Sequence, residues 1–396
     1  MEHDGRGPLP ESTASSLREI ARGPFLRVTA ANFFFFLCFA SFFLLPKHLH
    51  ALGATKDRIG DIMAVFGLAA TPLTPLVGSL VDRYKRRPFF LAGAGLMWAA
   101  STGFAFVHTL SPMLYVLRLL QGVAFACAFT SATTLAADLA PPARRAQALG
   151  LFGVFTLITH GLGVTVAEQI EIHWGFTALF LIGSSFALVA GWLFLKTPET
   201  GQHHGEAKTS SLFSIASSPA IFPSVVVSLV AGSGFGTALT FVPVLGDALR
   251  IRPVSIFFVS YMAAAVLVRL TGGRLADVFG RRAVAIPSLA IFALALIALG
   301  RVGSAHSLAL VGFAFGAGHG LLYPALNALV VDGTRTENRG KAMALYNAAF
   351  NAGVTGGNVV FGRVAEAYGY DKMFAVVGLS VIGVLIFFWR KSIPGT

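Results

Sequence analysis

The chain has few charged residues and few cysteines for its 396 residues. Charged residues make up 12% of it, which is about half the share of an ordinary soluble domain. Its two cysteines, Cys38 and Cys127, both lie in apolar stretches, so we expect neither a disulfide framework nor a metal centre. The phosphate-binding pattern G-x-x-x-x-G-K-[ST] is absent, which excludes a Walker-type ATPase. We therefore expect a protein that is not an enzyme and binds no cofactor.

Long apolar runs are abundant instead. The chain is 55% hydrophobic, and a helix needs about 20 apolar residues to cross the hydrocarbon core of a bilayer. Twelve runs of roughly this length, numbered here as segments 1 to 12, predict an all-α membrane protein with twelve transmembrane helices. They lie at 26–46, 58–80, 88–108, 112–138, 147–168, 174–195, 220–246, 253–275, 283–303, 307–331, 341–365 and 372–390.

Polar stretches divide this array into two sets of six segments. Residues 1–24 form a polar N-terminal tail, and segment 1 lacks the small-residue cleavage site of a signal peptide. A polar linker at 197–218 separates a first six-helix bundle, 25–196, from a second, 219–390. Residues 391–396 form a short C-terminal tail.

Two short sequences recur about half a chain length apart. Gly78–Arg87 and Gly273–Arg282 both read G-x-L-x-D-x-x-x-R-R, and they begin 195 positions apart. Arg145–Phe152 resembles Arg339–Tyr346 at nearly the same offset. Such duplication is typical of membrane transporters, so we expect two pseudo-symmetric six-helix halves.

The net charge of +12 is unevenly distributed among the predicted loops. Most Lys and Arg residues fall on the side that carries both termini and the linker, which the positive-inside rule assigns to the cytoplasm. We therefore expect both termini to be cytoplasmic and the basic loops to meet anionic lipid headgroups. This placement argues against binding to nucleic acid.

Polar side chains form stripes on two of the segments. Residues four or three positions apart share a face of a helix, and inside a bilayer such a face must contact protein or a water-filled cavity. The stripes contain His319, Tyr323 and Asn327 in segment 10 and Asn347, Asn351, Thr355 and Asn358 in segment 11. They predict a solute pathway, or hydrogen bonds that hold the helices together.

Four ionisable side chains lie well inside the segments: Arg118, His160, Arg269 and His319. A charge is costly there, so each is a candidate for solute or proton binding, with a structural hydrogen-bonding role as the alternative. A histidine is suited to proton transfer because an unperturbed imidazole changes charge near neutral pH.

Acidic residues are missing from the middle of every segment. Asp61, Glu168 and Asp247 all lie toward the ends that face away from the termini. A cavity without carboxylates is neutral to positive and favours an anionic, zwitterionic or polar uncharged solute. The coupling proton must then be carried by Glu168, Asp247, His160 or His319.

The repeated loops follow segments 2 and 8, and in this arrangement the chain resembles the Major Facilitator Superfamily. That family's hallmark loop reads G-x-L-[AD]-D-[RK]-x-G-R-[RK], with Lys85 replacing the usual glycine in the first copy here. Arg118–Gly122 also matches the family pattern R-x-x-Q-G, whose arginine the family associates with proton coupling. Segment 5 does not contain the family's antiporter pattern G-P-x-x-G-G. At the corresponding place, His160–Ala167 read H-G-L-G-V-T-V-A.

The resemblance implies that the two repeated loops form a cytoplasmic latch between the halves. Asp138 and Asp332 are expected to complete its clusters with Arg87 and Arg282, and solvated charges that only set topology are the alternative. The predicted latch residues are Gly78, Asp82, Arg83, Arg87, Asp138, Gly273, Asp277, Arg281, Arg282 and Asp332.

The resemblance also implies a function, which is transport of a small organic solute by alternating access. We expect proton-coupled efflux by a monomer in the bacterial inner membrane, with solute, protons and lipid as its partners. A proton-coupled importer of an organic anion or polar nutrient, and a receptor without transport, are the alternatives. The predicted pathway residues are Arg118, Gln121, His160, Glu168, Asp247, His319, Tyr323, Asn327, Asn347 and Asn351.

The predicted topology can be tested by labelling a single cysteine in the linker. A Ser210→Cys variant should resist a membrane-impermeant thiol reagent added to intact cells and should react after the cells are opened. Strong labelling of intact cells would invert the topology and the charge argument together.

Overall fold

The computed structural model describes residues 23–141, 144–199, 218, 220–335 and 338–391, without the side chains at 82, 146, 272–274, 276 and 277. Most of the predicted N-terminal tail and linker therefore lies outside the described residues. All the regular structure in the described residues is helical, which confirms the predicted all-α class.

Eleven α-helices, labelled here in chain order, make up the fold of these residues. In the first half they are α1 (Gly23–Ser41), α2 (Leu45–Ala51), α3 (Lys56–Arg83), α4 (Arg86–Gly103), α5 (Met113–Leu139) and α6 (Arg145–Leu195). In the second half they are α7 (Phe222–Ala248), α8 (Ser255–Phe279), α9 (Arg281–Leu299), α10 (Ala305–Asp332) and α11 (Arg339–Arg390). A 3₁₀ turn, Phe42–Leu44, joins α1 to α2, and these two helices together correspond to segment 1.

Two of these helices each account for two predicted segments. α6 contains a non-helical residue at Gly175 and α11 has one at Gly369, with φ values of 78° and 86°. Glycine adopts this left-handed conformation without a Cβ clash, so each glycine forms the kink that divides its helix into two, at the point where two predicted segments meet. Apolar helices of sufficient length elsewhere in the described chain, together with the shorter apolar stretch of α8, supply the remaining crossings. The twelve-segment prediction is confirmed, with bounds shifted by a few residues.

The two repeated loops differ in their backbone conformation. Gly280 links α8 directly to α9 with a φ of 89°, which requires glycine. In the first copy Lys85 has a φ of −77° and a ψ of 144°, an extended conformation open to any residue. The replacement of the family's glycine by Lys85 therefore strains no backbone, because this loop turns through two residues, Tyr84 and Lys85.

Each half packs its helices with the same pattern of neighbours. In the first half α1 lies along α6, and α3 and α4 both lie along α5; in the second half α7 lies along α11, and α8 and α9 both lie along α10. Aromatic rings fill the first half, where Phe90 and Phe194 stack with their ring centroids 3.8 Å apart. The halves meet mainly along two helix pairs, α3 with α11 and α6 with α8, and α2 also contacts α7.

In both ion pairs at the repeated loops, the arginine lies one residue earlier in the chain than predicted. Asp138 pairs with Arg86 rather than with Arg87, at 3.0 Å, and Asp332 pairs with Arg281 rather than with Arg282, at 2.7 Å. Each arginine is the first residue of its helix and so lies nearest to the end of the neighbouring helix. Both pairs join helices of the same half, so they shape each half and do not connect the two.

Arg87 has a different role from the one predicted. Its guanidinium donates to the carbonyl oxygen of Thr197, just beyond α6. The backbone N–H groups of Arg86 and Arg87 donate to the carboxylate of Glu199 at 3.2 and 2.8 Å. A carboxylate at these first amides satisfies donors that have no partner within the helix and complements its dipole. The start of the linker is thereby attached to α4.

Candidate functional site

Among the described residues, the polar contacts between the halves lie at one end of the bundle. We call the end that carries Lys47, Glu168, Asp247 and Arg363 the closed end, because polar contacts join the halves there. The opposite end, which contains Arg83–Arg86 and Phe279–Arg281, is called the repeat-loop end. The described ion pairs at the repeat-loop end stay within one half each.

Glu168 makes the most enclosed polar contact of the closed end. Its side chain, from α6 in the first half, accepts hydrogen bonds from the backbone N–H groups of Val254 at 2.7 Å and Ser255 at 2.8 Å. These amides begin α8, a helix of the second half, and Glu168 is only 3% exposed. One carboxylate therefore caps a helix of the opposite half, using both of its oxygens.

Further polar contacts link the halves at the closed end. Lys47 of α2 lies 2.8 Å from Glu171 in its own half and 3.7 Å from Asp247 of the second half. Arg363 of α11 binds Asp61 of α3 at 3.0 Å. The backbone N–H of Lys56 donates to Glu366 of α11 at 2.9 Å.

The three acidic residues that the sequence analysis named at the segment ends away from the termini thus contact the opposite half. These are Asp61, Glu168 and Asp247. The signal for this role in the sequence was their common position, at the segment ends that lie away from the termini. Their partners were not predictable, because two are backbone amides and the others, Lys47 and Arg363, are ordinary basic residues near the ends of segments.

Small residues let the helices of the two halves approach closely toward the middle of the bundle. A Cβ on Gly60 would overlap the carbonyl oxygen of Asn358, and one on Gly67 would overlap the hydroxyl of Thr355. On the other side a Cβ on Gly161 would lie 2.9 Å from the sulfur of Met262. The halves are therefore sealed from the closed end to about the level of these residues.

The stripe predicted on segment 11 is divided between two environments. Thr355 and Asn358 lie buried in this seal against α3. Asn351 is exposed, and Asn347 accepts a hydrogen bond from the hydroxyl of Tyr323 at 2.6 Å. Only the part of the stripe toward the repeat-loop end is thus available to a solute.

Where the seal ends, ionisable side chains from both halves come together. His160 of α6 packs against Phe43 and, across the interface, against Tyr261 of α8, with ring centroids 5.3 and 6.3 Å apart. One of its nitrogens is paired with the carbonyl oxygen of Thr156. Arg269, two turns beyond Tyr261 on α8, is close enough to interact electrostatically with His160.

Arg269 is the cation of this central cluster. It is partly buried and donates through Nε to the carbonyl oxygen of Gly320 at 3.3 Å. Within the described residues it makes no ion pair with a carboxylate. Its charge also acts on Tyr261, His319 and Tyr323. The cluster therefore combines one positive charge with hydroxyl and imidazole groups, which suits an anion or a polar solute.

His319 lies in a cage of aromatic rings inside the second half. The ring of Phe235 is stacked over it at 4.5 Å, and five other rings lie within 6.4 Å: Tyr261, Phe292, Phe315, Tyr323 and Phe350. The residue is 6% exposed, and neither nitrogen has a hydrogen-bond partner among the described residues. A buried polar group without a partner costs about 1–3 kcal/mol, so simple packing does not account for a histidine here.

Arg118 lies in the interior of the first half, away from this cluster. It donates to Gln121 at 2.9 Å and to the backbone of Met63 at 3.5 Å, and its guanidinium lies 4.9 Å from the ring of Phe66. Gln121 donates onward to Ser101 at 3.0 Å. These contacts favour the structural alternative for Arg118 and Gln121, which hold α5 against α3 and α4.

The other predicted site residues take different positions. Asn327 is partly buried on α10, Arg83 and Arg282 are exposed, and the Cα of Gly78 faces the side chain of Thr130. The side chains at positions 82, 273 and 277 lie outside the described part of the structure, so the latch prediction for Asp82, Gly273 and Asp277 stays a prediction.

Comparison with known proteins agrees with this architecture. The family model described as Major Facilitator Superfamily matches residues 28–252 and 248–395. The chain belongs to the Major Facilitator Superfamily. Its members are transporters, so the expectation of a non-enzymatic membrane transporter is confirmed.

Similar proteins include two exporters and one transporter of known structure. The chain is 27% identical to the multi-drug resistance efflux pump PmrA of Streptococcus pneumoniae, over 85% of this chain and 88% of that protein. It is 24% identical to the staphylopine export protein of Staphylococcus aureus, over 94% and 97%. The crystal structure of the nucleoside transporter NupG superimposes with a TM-score of 0.77 at 16% identity, covering 93% of this chain and 99% of that one.

The aromatic cage predicts how His319 variants behave. His319→Leu should keep the thermal unfolding midpoint of the purified protein near its original value, since it removes two unpartnered nitrogens and loses ring packing worth about 1 kcal/mol. His319→Ala should lower the midpoint clearly, because it leaves a cavity that costs about 2–4 kcal/mol.

A transport measurement distinguishes a packing role of His319 from a proton-binding role. The leucine variant should lose pH-driven accumulation in vesicles while remaining folded. Full pH-driven accumulation by this variant would identify His319 as a packing residue.

Proposed function

We propose that this transporter exports a small anionic, zwitterionic or polar organic solute by alternating access, in exchange for protons. The observation that carries the proposal is Arg269, a cation without a carboxylate partner among the described residues, at the level where the seal between the halves ends. A carboxylate or similar group of a solute would supply the missing negative charge.

The position of the seal supports the proposed direction of loading. The basic loops assign the repeat-loop end to the cytoplasm, which makes the closed end the outer face. In this state a solute would reach Arg269 from the cytoplasm, as an exporter requires. The similarity to an efflux pump and an export protein supports the same direction.

Proton exchange is supported by the groups around the solute site. His160 and His319 interact electrostatically with Arg269, so a bound anion would affect their protonation. Because the described residues place no acidic side chain in this cluster, a proton carried here would be held by a histidine.

Two other functions would use the same arrangement. A proton-coupled importer of an organic anion would also need Arg269, and the direction of accumulation under an imposed pH gradient separates it from an exporter. A receptor without transport would bind solute and show no accumulation in either direction.

Arg269 can be tested by comparing charged and neutral solutes. In proteoliposomes with an imposed pH gradient, a panel of aromatic carboxylates and their amides should include carboxylates that the original protein accumulates. Arg269→Gln should reduce accumulation of those carboxylates about tenfold or more, since a charge-assisted hydrogen bond is worth about 1.5–3 kcal/mol. Arg269→Lys should retain part of the activity, because it keeps the charge but loses the planar fork.

The control is Arg301→Gln, which removes an exposed arginine at the closed end. It should leave accumulation nearly unchanged. Equal transport of carboxylates by the Arg269→Gln variant and the original protein would contradict the proposed solute class.

A further inference from the structure

The duplication places different rings at matching positions of the two halves. The repeated loops lie 195 positions apart, and Asp138 and Asp332, near the ends of α5 and α10, lie 194 apart. The first offset matches Phe66 of α3 to Tyr261 of α8. The second offset gives two pairs between α5 and α10, Phe125 with His319 and Phe129 with Tyr323. Phenylalanine in the first half thus stands where the second half has a hydroxyl or an imidazole group.

The three phenylalanines belong to one continuous aromatic surface of the first half. We call this surface the phenylalanine wall, and it consists of Phe36, Phe39, Phe66, Phe125 and Phe129. The centroids of its neighbouring rings are 5.2 to 5.7 Å apart, which is the ordinary spacing of packed aromatic side chains. None of these rings carries a hydrogen-bonding atom, so the wall offers apolar contact alone.

The phenylalanine wall borders the central cluster around Arg269. Phe36 stacks on His160 with ring centroids 6.4 Å apart, and His160 contacts Tyr261 of the second half. Phe66 directly precedes Gly67, and His160 directly precedes Gly161, at the level where the seal ends. The wall and the cluster therefore lie at the same depth in the bundle.

The wall is accessible from inside the bundle. Phe39, Phe66, Phe125 and Phe129 are only half-buried. The other rings of the wall surround Phe39, which belongs to α1, a helix that is mostly buried in the bundle. Their accessible parts therefore face the interior, where a solute would lie, rather than the lipid.

A solute between the halves would meet two unlike surfaces. On the side of the second half it would meet the guanidinium of Arg269, with the hydroxyl of Tyr323 and the amide of Asn347 nearby. On the side of the first half it would meet phenylalanine rings only within the wall. A small hydrophilic anion would leave these rings in contact with water, whereas an aromatic group would pack against them.

We propose that the two halves divide the recognition of the solute, so that the phenylalanine wall binds an aromatic body and the central cluster binds an anionic or polar group. The solutes are then amphipathic aromatic acids or zwitterions. Phe66, Phe125 and Phe129 determine specificity for the body of the solute, independently of its charge. This assignment deepens the proposed function and rests on it for the location of the solute site.

The test is equilibrium binding to the purified protein in lipid nanodiscs, measured by calorimetry. The two probes are 2-naphthylacetate and 2-naphthylacetamide, which share an aromatic body and differ in charge. Phe125→Ala should weaken the binding of both probes about tenfold, because it removes one aromatic contact and its buried area. Arg269→Gln should weaken the binding of the acid much more than that of the amide.

Two further variants control for folding and for position. Phe129→Leu keeps most of the apolar volume but loses the ring, and it should weaken the binding of both probes severalfold. The matched control is Phe34→Ala, which removes another half-buried phenylalanine of α1, one that packs against Phe186 of α6 outside the wall. It should bind both probes as the original protein does. The thermal unfolding midpoint of each variant shows that the protein remains folded.

The proposal would be overturned if Phe125→Ala and Phe129→Leu bound both probes as tightly as Phe34→Ala does. It would also be overturned if the original protein bound neither probe. Calorimetry involves no gradient, so these results do not depend on the direction of transport or on protons. Weaker binding by the wall variants, with equal effects of Arg269→Gln on acid and amide, would refute the anionic solute class and leave the wall in place.

Discussion

Closure of the bundle depends on one buried carboxylate that satisfies the backbone of the opposite half. The first amides of a helix have no partner within that helix, and away from water they must find one elsewhere. Glu168 provides it for α8, so the two halves share a polar contact that neither can replace alone. The exposed pairs, such as Asp61 with Arg363, add to this contact but are open to water and salt.

The seal and the central cluster follow from that contact. Once α6 and α8 are joined at the closed end, Gly161 lets the same two helices stay in contact as far as Met262. Gly60 and Gly67 let α3 and α11 approach each other closely in the same way. Beyond these residues α8 carries Arg269, and α11 carries Asn347, which accepts a hydrogen bond from Tyr323 of α10. The closed state therefore places the cation of the cluster on the side of the repeat-loop end.

Much of the fold could be predicted from the sequence, because length, hydropathy and the repeated loops fix the number of crossings and the two halves. The partner of each charge could not. Helix ends decide whether Arg86 or Arg87 faces Asp138, and such ends are read from sequence only within a few residues. Periodicity placed Asn347 and Asn358 on one stripe, but the depth of the seal assigns them to different environments.

The most direct test of closure at this end is a reversible crosslink between the halves. A Cβ on Gly67 would lie 3.2 Å from the Cβ of Thr355, close to the range of about 3.5–4.5 Å found in disulfides. Gly67→Cys and Thr355→Cys, combined with Cys38→Ala and Cys127→Ala, should form this bond on mild oxidation. We expect transport in vesicles to stop on crosslinking and to return with a reductant. Transport at the full rate by the crosslinked protein would contradict alternating access through the closed end.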